Sequence, residues 1–478
     1  MKKQYRAHPL MIGTFIKPFF FILVIPVVKG IYQYIKFKQI DDIFGLEMFV
    51  FLVMLLVAIA RCIAFRLIID GENQTVTIKS GVLYVQKAVI NISKLSSIQT
   101  DQNPIDALLR SVTYKINTEA GKIGKADFKF KLSLKDSKEI SSFFYEKEKP
   151  EAIGFSPLKI AFLASTTSSA FAGMIIGVPI IYKAGALLGV ALDKLILYEL
   201  ENTSSKIPTY FPTAVNTVAV TILIAYAISF IYSFIKLINF RLFAGNENLE
   251  VRSGFFVRTR TRFRKDAVKN VRIEQTPLMM VGRRYSLKAN IGGYGDTKSE
   301  AEVVVPAVNR SDVKKNFREY FPFLEPGGKT ITAKRNLITK SRFLTLPFLY
   351  FLIIAAVSLV LALRYTLFTR LVVFLTIIIS LVNTIYMCLC YYEYKRGKVQ
   401  IDQNVFVRGR TIMRTCEFYC PKENIGEIKL IRWPVDFLHK TCRARFSVRS
   451  EHADSILVRH LDYETVKQEV YKNFDIEE

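Results

Sequence analysis

Two stretches, 343–363 and 371–391, carry no charged residue, and only RYTLFTR lies between them. About twenty apolar residues is the length that crosses a bilayer as one helix, and so short a link permits only an immediate return. The pair is therefore expected to form a membrane hairpin. A third clear span is 213–238, with Lys236 close enough to its end to snorkel, and a fourth is 46–65. Two weaker stretches complete the set: 10–28, interrupted by Lys17, Pro18 and Pro26, and 157–182, rich in Ser, Thr and Gly. Six spans in three hairpins are expected, in keeping with 51% apolar content and a mean hydropathy of +0.24 over 478 residues.

Because the spans come in pairs, the large polar regions between them share one face of the bilayer. The formal charge is +26, with about +12 of it in 241–342 against about +4 in 66–150 and about +3 in 395–478. Basic segments beside a membrane helix stay on the cytoplasmic side, and Lys2, Lys3 and Arg6 point the same way. The polar regions and both termini are thus expected in the cytosol. The start also has the order of a signal peptide, but KGIYQYIKFK follows it in place of a small-residue cleavage pattern, so an uncleaved first helix is expected. Cys416, Cys420, His439 and Cys442 can be drawn as a metal set, yet they lack a tight C-x2-C knuckle. Buried small hydrophobes are the better reading, and no metal or cofactor is expected.

One sentence is written three times. IQTDQNPIDALLR (98–110) returns as VRIEQTPLMMVGR (271–283) and as IKLIRWPVDFLHK (428–440). In each, a proline lies six residues after Ile or Val, an aliphatic follows it, another comes three residues later, and Arg or Lys closes the run. Pro104, Pro277 and Pro434 are about 160 to 170 residues apart, and each copy follows a pair of spans, so the repeat is a whole unit. The expected units are 1–150, 151–325 and 326–478, with polar domains at 66–149, 241–324 and 392–476. Within them, alternating runs such as RLIID, QTVTIKSG and VTYKINTEAG read as half-buried strands. A short amphipathic helix closes each domain, from Asp136, Ser311 and Asp462. Antiparallel strands with one C-terminal helix make a small capped barrel.

Paired spans followed by SGVLYV, the proline echo and VTYKINTEAG resemble the bacterial pleckstrin-homology-like (PH-like) membrane proteins, in particular the three-unit YdbT-like members. RAHPL before the first span is similar to that family too, as are SPLKIAF and RSGFFVRTRTRF in the second unit, while RWPVDFLHK makes the third the most divergent. The resemblance implies a polytopic α-helical protein of a bacterial cytoplasmic membrane, with three cytosolic PH-like β-barrels. It implies no enzymatic motif.

Arg258, Arg260, Arg262 and Arg264 are spaced by two, so a strand would project all four from one face, with Lys265 following. Anionic headgroups or an acidic partner would relieve their mutual repulsion; a solvated outer strand guarding a sheet edge is the plainer alternative. The echo is expected to be a structural corner of the barrel, marked by Pro104, Arg110, Pro277, Pro434 and Lys440. Its functional alternative makes Arg110, Arg283 and Lys440 headgroup-facing cations, with Arg284 doubling the charge in the middle copy. IGGYGDTK (291–298) lacks phosphate-loop spacing and reads as a turn. No nucleophile triad or carboxylate pair stands out, and no recognition helix suggests nucleic acid. The expectation is a non-enzymatic scaffold whose partners are anionic lipids and a membrane protein, with a small single-unit relative as one candidate. A transporter or resistance component for a lipid-like or peptide substrate is the alternative, motivated by LASTTSSAFAGM in the third span.

Overall fold

The computed structural model describes residues 2–16, 34, 42–82, 84–118, 127–144, 151–169, 173–174, 192–205, 213–245, 247–291, 302–317, 320–321, 324–325, 327–333, 337–366, 369–411, 413–449 and 455–474. Three of its helices are long and apolar enough to cross a membrane: Asn216–Leu237, Ile338–Arg364 and Val372–Arg396. Asp42–Ala64 ends in a shorter apolar stretch, Phe49–Ala64. Most of the expected span at 10–28, the second half of that at 157–182 except 173–174, and most of IGGYGDTK lie outside the described residues; helices Met11–Ile16 and Pro157–Thr167 are the described starts of the two spans.

The hairpins are joined by polar contacts between apolar helices, where such groups must find partners inside the protein. Asn383 Nδ2 donates to the Pro347 carbonyl at 2.9 Å, and Thr376 Oγ1 donates to Ser358 Oγ at 2.8 Å. In the preceding pair, Tyr226 Oη donates to the Ser165 carbonyl at 2.7 Å, and Gly173 lies so close that an added Cβ would sit 1.6 Å from the Ala225 oxygen. The small residues of LASTTSSAFAGM thus permit close helix packing. Helix Leu192–Ser205, packed beside Thr213–Leu237, was not anticipated from the sequence.

The described strands fall into three successive sets of seven, each followed by a helix. The first set is Lys2–Arg6, Arg66–Asp70, Thr75–Ser80, Gln86–Asn91, Leu95–Gln102, Ser111–Thr118 and Phe128–Ser133, closed by helix Leu134–Phe144. The second is Glu151–Gly154, Arg241–Ala244, Asn248–Ser253, Arg258–Arg264, Val268–Gln275, Tyr285–Ile291 and Glu302–Val308, closed by Arg310–Phe317. The third is Thr330–Thr332, Lys398–Ile401, Asn404–Arg410, Thr415–Pro421, Ile425–Ile431, Thr441–Val448 and Ser455–Asp462, closed by Tyr463–Phe474. In every set the first strand precedes the long helices and pairs antiparallel with the second, which follows them. A helical hairpin returns the chain to where it left, so strands leading in and out lie side by side. The polar domains therefore begin before their hairpins, at residues 2, 151 and 330, and not after them as the sequence suggests.

Closing helices begin close to where they were expected, but of the three expected caps Asp136 and Ser311 lie inside their helices. Asp462 accepts from the Thr465 amide at 3.1 Å, whereas the first helix is capped by Ser133, whose Oγ accepts from the Asp136 amide. Three apolar clusters fill the sets, centred on Tyr114 and Phe130, on Phe263 and Leu287, and on Phe418 and Phe446. The middle cluster also takes in Phe406 and Tyr419 from the third set.

Neighbouring sets are welded by shared sheets. Leu95–Gln102 pairs antiparallel with Arg258–Arg264, and Val268–Gln275 with Thr415–Pro421, giving two seven-stranded sheets that each cross from one set to the next.

Candidate lipid-facing corners and the arginine strand

Each echo folds into a five-residue helix with proline at its first position: Pro104–Leu108, Pro277–Val281 and Pro434–Leu438. Proline suits that place because the amide it lacks has no intrahelical partner there. The second residue after the proline turns inward: Asp106, Met279 and Asp436 are all buried. The aliphatics that define the echo turn outward. Leu108, Val281 and Leu438 are 81%, 84% and 80% exposed, and Ile105, Leu278 and Val435 are exposed beside them. Trp433 and Phe437 enlarge the third apolar tip.

The closing cation of each echo adopts a left-handed backbone, with φ of 52° at Arg110, 51° at Arg283 and 52° at Lys440. Glycine or asparagine would take this conformation at lower cost, so three long cations there are notable. All three are exposed, with Arg284 half-buried beside Arg283. Sequence reasoning recognised the corner and its cations but missed the backbone, since Arg and Lys carry no left-handed signature.

Each corner is tied to a helix or to the residues just before one, and in the third copy that helix is long and apolar enough to cross a membrane. Arg342, the last charge before the apolar run of Leu337–Arg364, donates to Asp436 and, at 3.2 Å, to Thr441 Oγ1. Asp436 also accepts from the Trp433 amide at 2.9 Å. Burial pushes its carboxyl up, but the Trp433 amide and Arg342 outweigh this and hold it below the ordinary value. In the middle copy the tie is apolar: Met279 packs with Leu163 of helix Pro157–Thr167, and Phe162 lies against Gly282. In the first, Asp106 accepts from Lys131 and from Ser111 Oγ at 2.6 Å, while the Lys131 carbonyl accepts from the His8 amide, just before helix Met11–Ile16. A second tie holds the last hairpin: Glu393, near the end of Thr369–Arg396, accepts from Arg410 at 3.0 Å and Arg459 at 2.9 Å.

The arginine strand alternates as expected, with Thr261 and Phe263 buried and the arginines on the other face. It is not an outer strand, because Leu95–Gln102 covers one edge and Asn248–Ser253 the other. Its cations are also partly neutralised. Arg260 makes a two-pronged pair with Glu250, at 2.5 and 2.8 Å, and Glu250 accepts from Arg252 as well. Arg264 Nε donates to Asp266 at 2.8 Å, which holds that carboxyl below its usual range. Lys265 lies 5.1 Å over the Tyr320 ring. Arg258 is exposed, and Arg262 lines a cleft of about 900 Å³ at the seam with Lys94, Ser96 and Phe143. Arg283 and Arg284 thus belong to a corner, whereas Arg258 to Lys265 belong to a seam.

Comparison with known families identifies the first two of these domains. The bacterial PH domain model matches residues 18–147 and 195–321, just over half of the chain. The chain belongs to the bacterial PH domain family. No curated protein and no solved structure matches it. Both matched regions of this bacterial PH domain protein contain a corner, and the second contains the arginine strand. The cysteines weighed as ligands, Cys416, Cys420 and Cys442, are buried, and burial pushes each thiol up to about 12. His439, the remaining member of that set, lies beside the third corner.

Proposed function

We propose that this bacterial PH domain protein is a non-enzymatic scaffold of the cytoplasmic membrane, a three-unit YdbT-like member whose three PH-like domains lie against the cytosolic leaflet. In this reading six spans form three hairpins, both termini are cytosolic, and the corners rest in the headgroup region. The carrying observation is the threefold corner: apolar tips at Leu108, Val281 and Leu438, each beside an exposed cation and tied to the root of a membrane helix. Apolar side chains gain by entering the interface, and each basic residue near an anionic leaflet gains on the order of 1 kcal/mol. In this reading the corners lie where both gains are available. The arginine strand is better suited to bracing the seam between the first two domains than to meeting lipid, because Glu250 and Asp266 already answer part of its charge. No cofactor enters this reading, and any membrane-protein partner would meet the domains at the same face. The close packing at Gly173 favours a scaffold over a transport path.

Hydrogen exchange tests the corners directly, with the full chain in nanodiscs of neutral lipid or of a mixture containing anionic lipid. Protection at 103–111, 276–285 and 433–441 is expected to rise with anionic lipid, and the rise should vanish when Arg110, Arg283, Arg284 and Lys440 become Gln. Equal protection in both lipids would overturn the headgroup assignment. Labelling a cysteine at Arg408 from outside intact cells would overturn the cytosolic one.

A further inference from the structure

The two seams inside the chain are built alike. Each pairs the fifth strand of one set with the fourth strand of the next, antiparallel. Their register is the same. Ile98 and Val271, each six residues before a corner proline, lie opposite Arg262 and Tyr419. Arg262 and Tyr419 in turn lie opposite Glu250 and Phe406, each two residues after the asparagine that opens its strand. One joint has therefore been written twice, between different sequences.

Two strands have the same position in their sets but, among the described residues, no partner on that side. They are Gln86–Asn91, the fourth strand of the first set, and Ile425–Ile431, the fifth of the third. The seam strands are largely buried, with Leu95 to Ile98 and Thr415 to Cys420 all covered. On the open strands Lys87, Val89, Glu427 and Lys429 are exposed, Val89 by 59%. An open edge bearing an exposed apolar residue is a template for strand addition, and chains that must stay apart usually blunt it with charge, proline or a cover. Each edge here carries one lysine, and neither carries a proline.

We infer that a second copy of this chain covers these edges: Ile425–Ile431 of one copy adds to Gln86–Asn91 of the next in the register of the internal seams. That register sets Ile428 opposite Val89, Leu430 opposite Lys87 and Glu427 opposite Ile90. The occupant follows from continuity with the seams, since the chain carries both halves of a joint it has already made twice. The contact is head-to-tail, so copies sharing one membrane extend into a row or close into a ring. Confinement to the bilayer raises the effective concentration at which they meet.

The test uses full chains in native membranes, with the exposed Cys388 replaced by Ser. One chain carries Val89→Cys and one tag; a coexpressed chain carries Ile428→Cys and a different tag. Mild oxidation is expected to yield a disulfide-linked heterodimer well above either homodimer. Moving the second cysteine to Lys429→Cys, whose side chain faces the other side of the sheet, should reduce the yield at least tenfold. Val89→Lys, at an exposed position that folding does not need, should reduce the mass in mild detergent to a single chain. The inference is overturned if the heterodimer does not form, if Val89→Cys homodimers dominate, or if a small single-unit protein is crosslinked in place of a second copy. Closure of the two edges within one chain, seen as an internal crosslink in a Val89→Cys, Ile428→Cys monomer, overturns it equally.

Discussion

Arg342→Ala removes the cation that ties the third corner to its membrane helix. Asp436 has no exposed surface, and it would keep the Trp433 amide at 2.9 Å and Thr441 Oγ1 at 3.1 Å, with Arg443 4.0 Å away. Breaking a buried ion pair from one side costs about 3–5 kcal/mol, and the retained hydrogen bonds place this case near the lower end, about 3 kcal/mol. At about 1.4 kcal/mol per factor of ten, amide protection in Thr441–Val448 should fall roughly a hundredfold. Hydrogen exchange with mass spectrometry on the full chain in nanodiscs measures it. The middle corner supplies the control, because it fills the same place with Met279 against Leu163. Arg342→Leu combined with Asp436→Met should therefore stay within about 1 kcal/mol of the parent, as buried pairs exchanged for packed apolar groups often do. Unchanged protection in Arg342→Ala, or a double replacement no better than the single one, would refute the idea that this pair anchors the corner.

Acid should loosen the same region. Burial, followed by the charge of Arg342, lowers His460 from 6.5 to about 4. A depressed histidine is stabilising while neutral, so the contribution is complete above pH 6.5 and lost as pH falls toward 4; at pH 5 roughly 2 kcal/mol is gone. Thermal midpoints at pH 7 and pH 5 measure the loss, and His460→Asn, which tolerates the φ of 57°, should flatten the difference. Lys440→Gly should gain up to about 1 kcal/mol by relieving the left-handed backbone while reducing the response to anionic lipid. A loss of stability would mean that the Lys440 side chain packs. Gly173→Leu should abolish monodisperse protein in size-exclusion chromatography, because even a Cβ would meet the Ala225 carbonyl; normal recovery would show that these helices separate without penalty.

Much of the architecture was legible because it repeats. The proline of each echo, with its spacing from Ile98, Val271 and Ile428, marked the helical corners, and alternation marked most strands. What stayed hidden was relational. Lys2–Arg6 reads as a charged leader, since only Tyr5 is buried, and its role as a strand depends on Arg66–Asp70 returning beside it. Arg258–Arg264 has the pattern of an exposed edge strand, and nothing local announces that Leu95–Gln102 will cover it. Outward aliphatics at the corners could not be told from core residues by spacing alone, because a five-residue helix offers an inner and an outer face at nearly the same interval. Asp106 and Asp436 were the available clue: a carboxylate two residues past the proline needs a buried partner or solvent, and here it found the partner.

The central claim is that the corners rest at the bilayer surface, and the chain carries its own probe. Its single tryptophan, Trp433, lies on the exposed tip of the third corner. The measurement is quenching of Trp433 fluorescence in the full chain reconstituted with lipids brominated at graded depths along the acyl chain. Strong quenching by bromines near the headgroups, declining toward the chain ends and weakened by Lys440→Gln, is the predicted result. Emission unaffected by bromine at any depth would place the corner away from the membrane and contradict the account.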